Sequence, residues 1–405
     1  MATSFSLPGR LAGALLCAAL LGGPCLAAAG KRDAAPPPAP EQMLVEIRKD
    51  LAANNLRAAQ QRADALVEAY PNFRLGHLLR GDLLMMHTRA VTQLGAASGA
   101  TPDAQAKLQD LRHEAMVRLN AGLARPAATA LPRALLQMRS DQRHALVVDA
   151  RNSRVYLYQN RNGQLRLIDD FYFSQGKLGV NKLKEGDLRT PVGVYYIVSR
   201  LSGAKLPDFY GKGALPLDFP NDWDRHNGRS GSGIWIHGTP PDTFSRPPLA
   251  TDGCVVLSND DLARVSAIVE VGKTPVLIGD QVEFASAAVV DGDRKLAEGL
   301  LEGWRRDAEL RGGSELLAHY GARFRSSSDE DAATWLARQQ FLPGAKKVRV
   351  TLRDVTHFRQ PSKEDVIIST FTQQTTVGKF RHVVRLRQYW ARDGRQWKIM
   401  SETLL

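Results

Sequence analysis

The sequence predicts a multidomain chain: an α-helical N-terminal region, a mainly-β central domain and an α+β C-terminal domain. Three observations predict it. Apolar residues recur at helical spacing from Glu41 to about Met138. Near Gln142 the texture changes to short β-branched and aromatic runs separated by Gly-, Pro-, Asn- and Asp-rich turns. After Asp291 helical stripes come first and strand-like runs follow. A length of 405 residues, 43% hydrophobic and 24% charged, suits two or three globular domains.

Residues 1–29 read as a signal peptide. Arg10 supplies the positive charge, and Leu11–Gly23 is an apolar run too short to span a membrane. Ala27-Ala28-Ala29 meets the small-residue requirement for cleavage. A lipoprotein site is a poor fit, because Cys25 follows Pro24 and Cys17 follows Leu16. The expected location is therefore periplasmic or secreted. Residues 30–40 are a Pro/Ala linker. Of 3 cysteines, two leave with the signal, so the mature chain keeps only Cys254 and no internal disulfide. The formal net charge of +12 suits anionic partners such as cell-wall polymer or a phospholipid surface. The Lys and Arg residues are scattered and no nucleic-acid motif is present, so nucleic acid is not an expected partner.

Residues 41–140 are expected as a helical module. Met43, Leu44, Ile47 and Leu51 share one helix face, and Ala63, Leu66, Val67 and Tyr70 another, ended by Pro71. Leu75, Leu78, Leu79, Leu83 and Leu84 form a third stripe, and Asp103–Gly122 a fourth helix. The first two helices look somewhat like a tetratricopeptide hairpin, without a second copy. A packing or dimerisation role without chemistry is the reading for this part.

In the central region, 141–285, the expected strands are Ala145–Asp149, Arg154–Gln159, Leu165–Ser174, Val192–Val198 and Pro275–Ile278. Gly176–Pro191 is a polar Gly- and Lys-rich loop. Leu201–Gly233 is a long loop of the kind that usually carries function. Ser258 caps a helix over Asp260–Val271, with Asp261 completing a capping box.

The stretch Ile234–Leu257 carries the chemistry. His237 leaves one short apolar run and Cys254 enters the next, with a Pro-, Asp- and Ser-rich loop between. Taken singly, a His is usually structural and a Cys usually a small buried hydrophobe. Together, in a chain whose only remaining thiol meets an oxidising compartment, they suit nucleophilic catalysis by a thiolate beside an imidazole. Gly238 and Gly253 permit close backbone approach, and the backbone N–H groups of Gly253 and Cys254 are the expected oxyanion donors. His226 is a second-choice base.

The region Ala145–Gly279 resembles the catalytic domain of the L,D-transpeptidases (YkuD-type). The residues that carry the likeness are Thr190-Pro191-Val192-Gly193-Val194-Tyr195, then Ile236-His237-Gly238, then Gly253-Cys254-Val255. The resemblance implies that Cys254 attacks a peptide bond of the peptidoglycan stem, that His237 is the base and that the Gly238 carbonyl orients it. An amine acceptor makes such an enzyme a transpeptidase, and water makes it a carboxypeptidase. The sequence departs from the family at Thr251-Asp252, where Ser-His or Ser-Arg is usual, and at Val256, where Arg is usual. A carboxylate at Asp252 would raise the Cys254 thiol pKa and favour an ammonium group; alternatively, Asp252 caps the loop. Thr239, Ser245, Arg246, Asp252, Lys177 and Arg189 are the substrate-binding candidates, with Lys182 and Lys184 beside them. No metal-ligand spacing and no cofactor are expected.

The tail, 291–405, is expected as a separate module. Leu296–Arg311, Leu316–Phe324 and Asp329–Gln340 read as helices, followed by strands over Val348–His357, Asp365–Thr376, Lys379–Ala391 and Gln396–Glu402. It resembles the nuclear-transport-factor-two-like cone fold, which implies an apolar pocket and often a dimer. The three parts together resemble the cell-shape L,D-carboxypeptidases and transpeptidases. The implied partners are peptidoglycan stem peptides, with a homodimer or an envelope protein through the N- or C-terminal module. A non-catalytic wall-binding scaffold and a hydrolase releasing a wall-linked protein are the alternatives.

Overall fold

The computed structural model describes residues 38–96, 99–121, 126–127, 129–310, 313–339 and 348–405. The expected signal peptide and all but the end of the linker lie outside the described residues. From Ala39 to Leu405 the chain forms one compact unit.

Four helices open it: α1 (Pro40–Ala52), α2 (Leu56–Ala69), α3 (Arg74–Met86) and α4 (Pro102–Ala121). Pro40 starts α1, where its missing N–H costs nothing, and Asn55 caps α2 by accepting from the Ala58 N–H at 3.2 Å. Leu44, Ile47, Ala59, Ala63, Leu66, Leu75, Leu79 and Leu83 form the core, as the helical spacing requires. Phe244 of the central domain packs against this core.

The helical module ends sooner than expected. Residues 131–137 form two short strands, β1 (Leu131–Pro132) and β2 (Leu135–Gln137). Pro132 cannot donate within a helix, and both strands take distant partners. β1 pairs with β14 (Phe284–Ala285), and β2 joins the C-terminal sheet.

The central domain contains β3 (His144–Asp149), β4 (Arg154–Arg161), β5 (Gln164–Tyr172), β6 (Gln175–Gly176), β7 (Gly193–Tyr196), β8 (Leu201–Ser202) and β9 (Gly213–Pro216). After the short α5 (Asp222–His226) come β10 (Trp235–His237), β11 (Leu249–Thr251), β12 (Val255–Val256), α6 (Asn259–Ile268) and β13 (Pro275–Gly279). One sheet has the order β5-β4-β3-β13-β7 and a second β12-β10-β9-β8. Leu201–Gly233 is thus not a single loop: it holds β8, β9 and α5, whose capping box is Asn221 with Asp224. The strands were hidden because each is only two to four residues long.

The run Ala145–Val148 is continuously apolar because both faces of its sheet are covered. Leu146 and Val148 face the second sheet and α6, with Ile236, Val255, Leu262 and Val265 opposite. Ala145 and Val147 face Phe358, Val366, Ile368 and Tyr389 of the C-terminal domain.

That domain has α7 (Ala287–Leu310), α8 (Gly313–Leu317), β15 (Tyr320–Ser326), α9 (Ala332–Gln339), β16 (Arg349–Arg359), β17 (Val366–Val377), β18 (Phe380–Asp393) and β19 (Gln396–Leu404). Its sheet runs β15-β19-β18-β17-β16-β2. The helix expected over Leu316–Phe324 is α8 followed by β15. Leu316, Tyr320 and Phe324 recur every four residues, a spacing that helices and strands share. Trp304, Trp335, Phe371 and Trp390 fill the interior of the cone. Within it a buried Glu402 accepts hydrogen bonds from Trp335 Nε1 (2.8 Å), Gln388 Nε2 (2.7 Å) and Tyr320 OH (3.1 Å).

The tail has its own sheet and interior, and it also shares a hydrophobic core with the central domain. At that seam Trp223 stacks between His226, at 5.1 Å, and Tyr389, at 5.3 Å. Trp223→Ala is expected to cost about 3–5 kcal/mol, the usual range for deleting a buried aromatic, read as a lowered urea midpoint.

Candidate active site

The parallel pairing of β10 with β12 sets Ile236 opposite Val255 and His237 opposite Val256. Cys254, one residue before the paired stretch, falls in line with Trp235. Alternation then puts the thiol and the imidazole on the same face, offset along the strands. His237 is 1% exposed, whereas Cys254 is partly exposed and in no disulfide among the described residues. Tyr210 meets the imidazole edge-on at 5.0 Å and Phe209 lies at 5.7 Å; Tyr210 in turn packs on Trp235 at 4.9 Å.

A carbonyl can only accept, so the 2.7 Å contact of His237 Nδ1 with the Gly238 oxygen places the imidazole proton on Nδ1. Nε2 is then the basic nitrogen. Gly238 is tightly surrounded: a Cβ there would lie 2.2 Å from Asn259 Oδ1. The Cys254 thiol donates to the Gly233 carbonyl at 3.4 Å. Burial pushes its pKa up, and the Asp252 carboxylate adds to the rise, while the Trp235 N–H, Arg246 and Lys182 oppose it. Burial, with Arg246 adding, pushes His237 down to about 4, against its bond to Gly238. Both shifts disfavour charge, so the resting pair is a neutral thiol and a neutral imidazole rather than the expected thiolate pair. Nε2 suits a base that takes the thiol proton as sulfur attacks.

Gly253 has φ +132°, and a Cβ there would lie 2.6 Å from the Arg189 carbonyl oxygen, so only glycine fits. Its role as an expected oxyanion donor is corrected. The Gly253 N–H is bonded to Thr251 Oγ1 at 3.1 Å, and the same hydroxyl donates to the Cys254 carbonyl at 2.8 Å. The Thr190 hydroxyl holds the Gly253 carbonyl at 2.9 Å. Of the two expected donors, the Cys254 N–H is the one left.

The substrate-binding candidates divide. Arg246 comes to the site, its guanidinium 4.2 Å over the Phe209 ring. Lys177 and Asp252 are exposed and paired with each other at 3.0 Å. Thr239 is spent on its own loop, donating to the Thr243 carbonyl at 2.6 Å, and Ser245 donates to Glu114 of α4 at 2.7 Å. Arg189 Nη1 donates to the Val180 carbonyl at 2.9 Å. Lys182 is buried against Asp187 at 2.8 Å and the Lys184 carbonyl at 3.0 Å, stiffening the loop. His226 lies on Trp223 at the seam with the C-terminal domain. Phe209, Tyr210, Trp235 and Asn259 were missed; an aromatic pair in a Gly- and Pro-rich stretch was their one visible signal. Among the described residues no group of three His, Cys, Asp or Glu side chains could hold a metal ion.

Residues 143–278 match the family model of the L,D-transpeptidase catalytic domain (YkuD), and residues 297–403 that of the Cds6 C-terminal NTF2-like domain. Comparison with curated protein sequences gives no match. Among solved structures, Bd1075 of Bdellovibrio bacteriovorus is similar at 25% identity and a TM-score of 0.60, over 68% of this chain and 98% of that one. The helical cell shape determining protein Pgp2 of Campylobacter jejuni is similar at 22% identity and a TM-score of 0.56, over 67% and 94%.

Because the Asp252 carboxylate holds the thiol pKa up, Asp252→Asn is expected to move iodoacetamide alkylation of Cys254 to lower pH. An unshifted profile with a lowered melting temperature would make Asp252 a loop cap instead.

Proposed function

We propose that this protein, whose residues 143–278 are an L,D-transpeptidase-type catalytic domain, is an envelope enzyme acting on peptidoglycan stem peptides. It forms an acyl-enzyme at Cys254 and passes the acyl group to an amine, as an L,D-transpeptidase, or to water, as an L,D-carboxypeptidase. The observation that carries the reading is the oriented imidazole. Its Nδ1–H is fixed by Gly238, and its basic Nε2 belongs to a ring on the same face as the sole thiol of the described residues.

In the proposed reaction His237 Nε2 takes the thiol proton as Sγ bonds the scissile carbonyl carbon. The Cys254 N–H steadies the developing oxyanion. Collapse breaks the peptide bond, and His237 returns its proton to the departing amine. The acceptor then repeats the cycle in reverse, freeing Cys254. Periplasmic action after removal of residues 1–29 belongs to this proposal. So does a part in cell shape, which the likeness to Pgp2 supports.

Incubation with a carbapenem is expected to give a covalent adduct at Cys254, seen by mass spectrometry and lost in Cys254→Ala; a wild-type chain without an adduct would be a scaffold. His237→Ala is expected to lower turnover of purified muropeptides by a factor on the order of 100 or more. With His237 at about 4, kcat/KM should hold to about pH 5 and fall below it as protonated Nε2 stops accepting.

A further inference from the structure

Three consecutive residues, Phe244, Ser245 and Arg246, join the N-terminal helices to the reaction centre. Phe244 inserts beside Tyr70 (5.1 Å) and Phe73 (4.9 Å), and its N–H donates to the Asn72 carbonyl at 3.3 Å. Asn72 Nδ2 donates back to the Pro241 carbonyl at 3.1 Å. Ser245 donates to Glu114, a buried carboxylate paired with Arg118 at 2.9 Å; Arg118 also pairs with Glu41. The Arg118 guanidinium lies 3.7 Å from the centroid of the Tyr172 ring. Tyr172 OH and Ser174 Oγ each donate to the Arg246 carbonyl at 2.8 Å. The backbone of Arg246 is thus held through α4 on one side and through β5 on the other.

The side chain it presents is unusual among the cations near the thiol. Lys177 is paired with Asp252 and Lys182 with Asp187, and Arg189 is turned to the Val180 carbonyl. Arg246 has no ion-pair partner among the described residues; its one hydrogen bond is from Nη2 to the Phe209 carbonyl at 3.4 Å. Burial lowers its pKa, and Cys254 and the Asp252 carboxylate offset this only in part; the cation is partly stripped of water with no carboxylate paired to it, since Asp252 pairs with Lys177. Its field reaches both Cys254 and His237. The Phe209 ring beneath it is the same ring that flanks His237. A planar fork with free donors, half-buried and within electrostatic reach of the nucleophile, fits a carboxylate.

We propose that Arg246 determines specificity by receiving the free C-terminal carboxylate of the residue that the reaction releases, and that α1–α4 serve the active site by positioning it. The proposal rests on the acyl-enzyme reading above. It makes the reaction one at a chain end: the terminal residue departs as a free amino acid, its new amine protonated by His237, while the shortened peptide stays on Cys254 as a thioester. A peptide extended through that carboxylate, as in a wall-linked protein, lacks the anion.

The test uses the mature chain and two synthetic stem tetrapeptides, identical except that one ends in a carboxylate and the other in a carboxamide. Wild type is expected to favour the acid in kcat/KM by about 10-fold or more, the range of a charged hydrogen bond. Arg246→Gln should bring the acid-to-amide ratio towards one, mainly by raising KM for the acid, and Arg246→Lys should restore part of it. Phe244→Ala and Glu114→Gln, which loosen the clamp, should lower the same ratio while Cys254 still forms its carbapenem adduct. A wild-type ratio near one, or Arg246→Gln keeping the preference, overturns the proposal. An adduct-forming Glu114→Gln variant with an unchanged ratio removes the helices from it. No cleavage of either peptide together with no adduct overturns the enzymatic reading itself, and this proposal with it.

Discussion

The parallel register of Trp235–His237 with Val255–Val256 is the constraint on which the site depends. Parallel neighbours require a crossover, which is normally a helix that satisfies its own backbone. Here the crossover, 238–254, is mostly irregular, and other parts of the chain must satisfy its polar groups. Asn259 Nδ2 holds the Thr239 carbonyl, Asn72 the Pro241 carbonyl, and Tyr172 with Ser174 the Arg246 carbonyl. The N-terminal helical region is therefore structurally bound up with the central domain, because Asn72, in the turn between α2 and α3, and Glu114 of α4 fasten this irregular segment.

The same enclosure governs the electrostatics. Burial lifts the Cys254 thiol and lowers the His237 imidazole, so neither is charged at rest. A neutral thiol is slow to react with adventitious electrophiles, and in the proposed reaction its proton leaves as the bound carbonyl is attacked. Fixing the Nδ1 proton on Gly238 means that no rotation or tautomer exchange is needed before Nε2 can act.

Much of the site was legible in the sequence because it is local. The Thr-Pro-x-Gly-x-Tyr, Ile-His-Gly and Gly-Cys segments combine residue type with backbone demand, as the contact a Cβ at Gly253 would make with Arg189 shows. The buried strand residues followed from apolar runs, and the cap at Ser258 from a short polar signal. What stayed hidden is non-local. The Ser245 hydroxyl could equally have met substrate or Glu114; 131 positions separate it from its partner. Thr251 competes for the Gly253 N–H through a turn whose geometry composition does not specify. β15 was misread because its apolar residues repeat every four positions, and β2 because three residues carry no periodicity.

β2 has a further consequence for how the chain comes together. It is the edge strand of the C-terminal sheet, yet it precedes the whole central domain in sequence. As the polypeptide lengthens from its N-terminus, Leu135 and Leu136 are made long before β16, the strand that covers them. Both are almost fully buried in the finished fold, one in the seam and the other in the cone. The C-terminal sheet is therefore discontinuous, with the central domain inserted between its first strand and the rest. The pairing of β2 with β16 is an event of high contact order, since the whole central domain lies between the two strands. No cut near residue 290 separates two self-sufficient halves: each would keep part of a sheet whose remainder lies in the other.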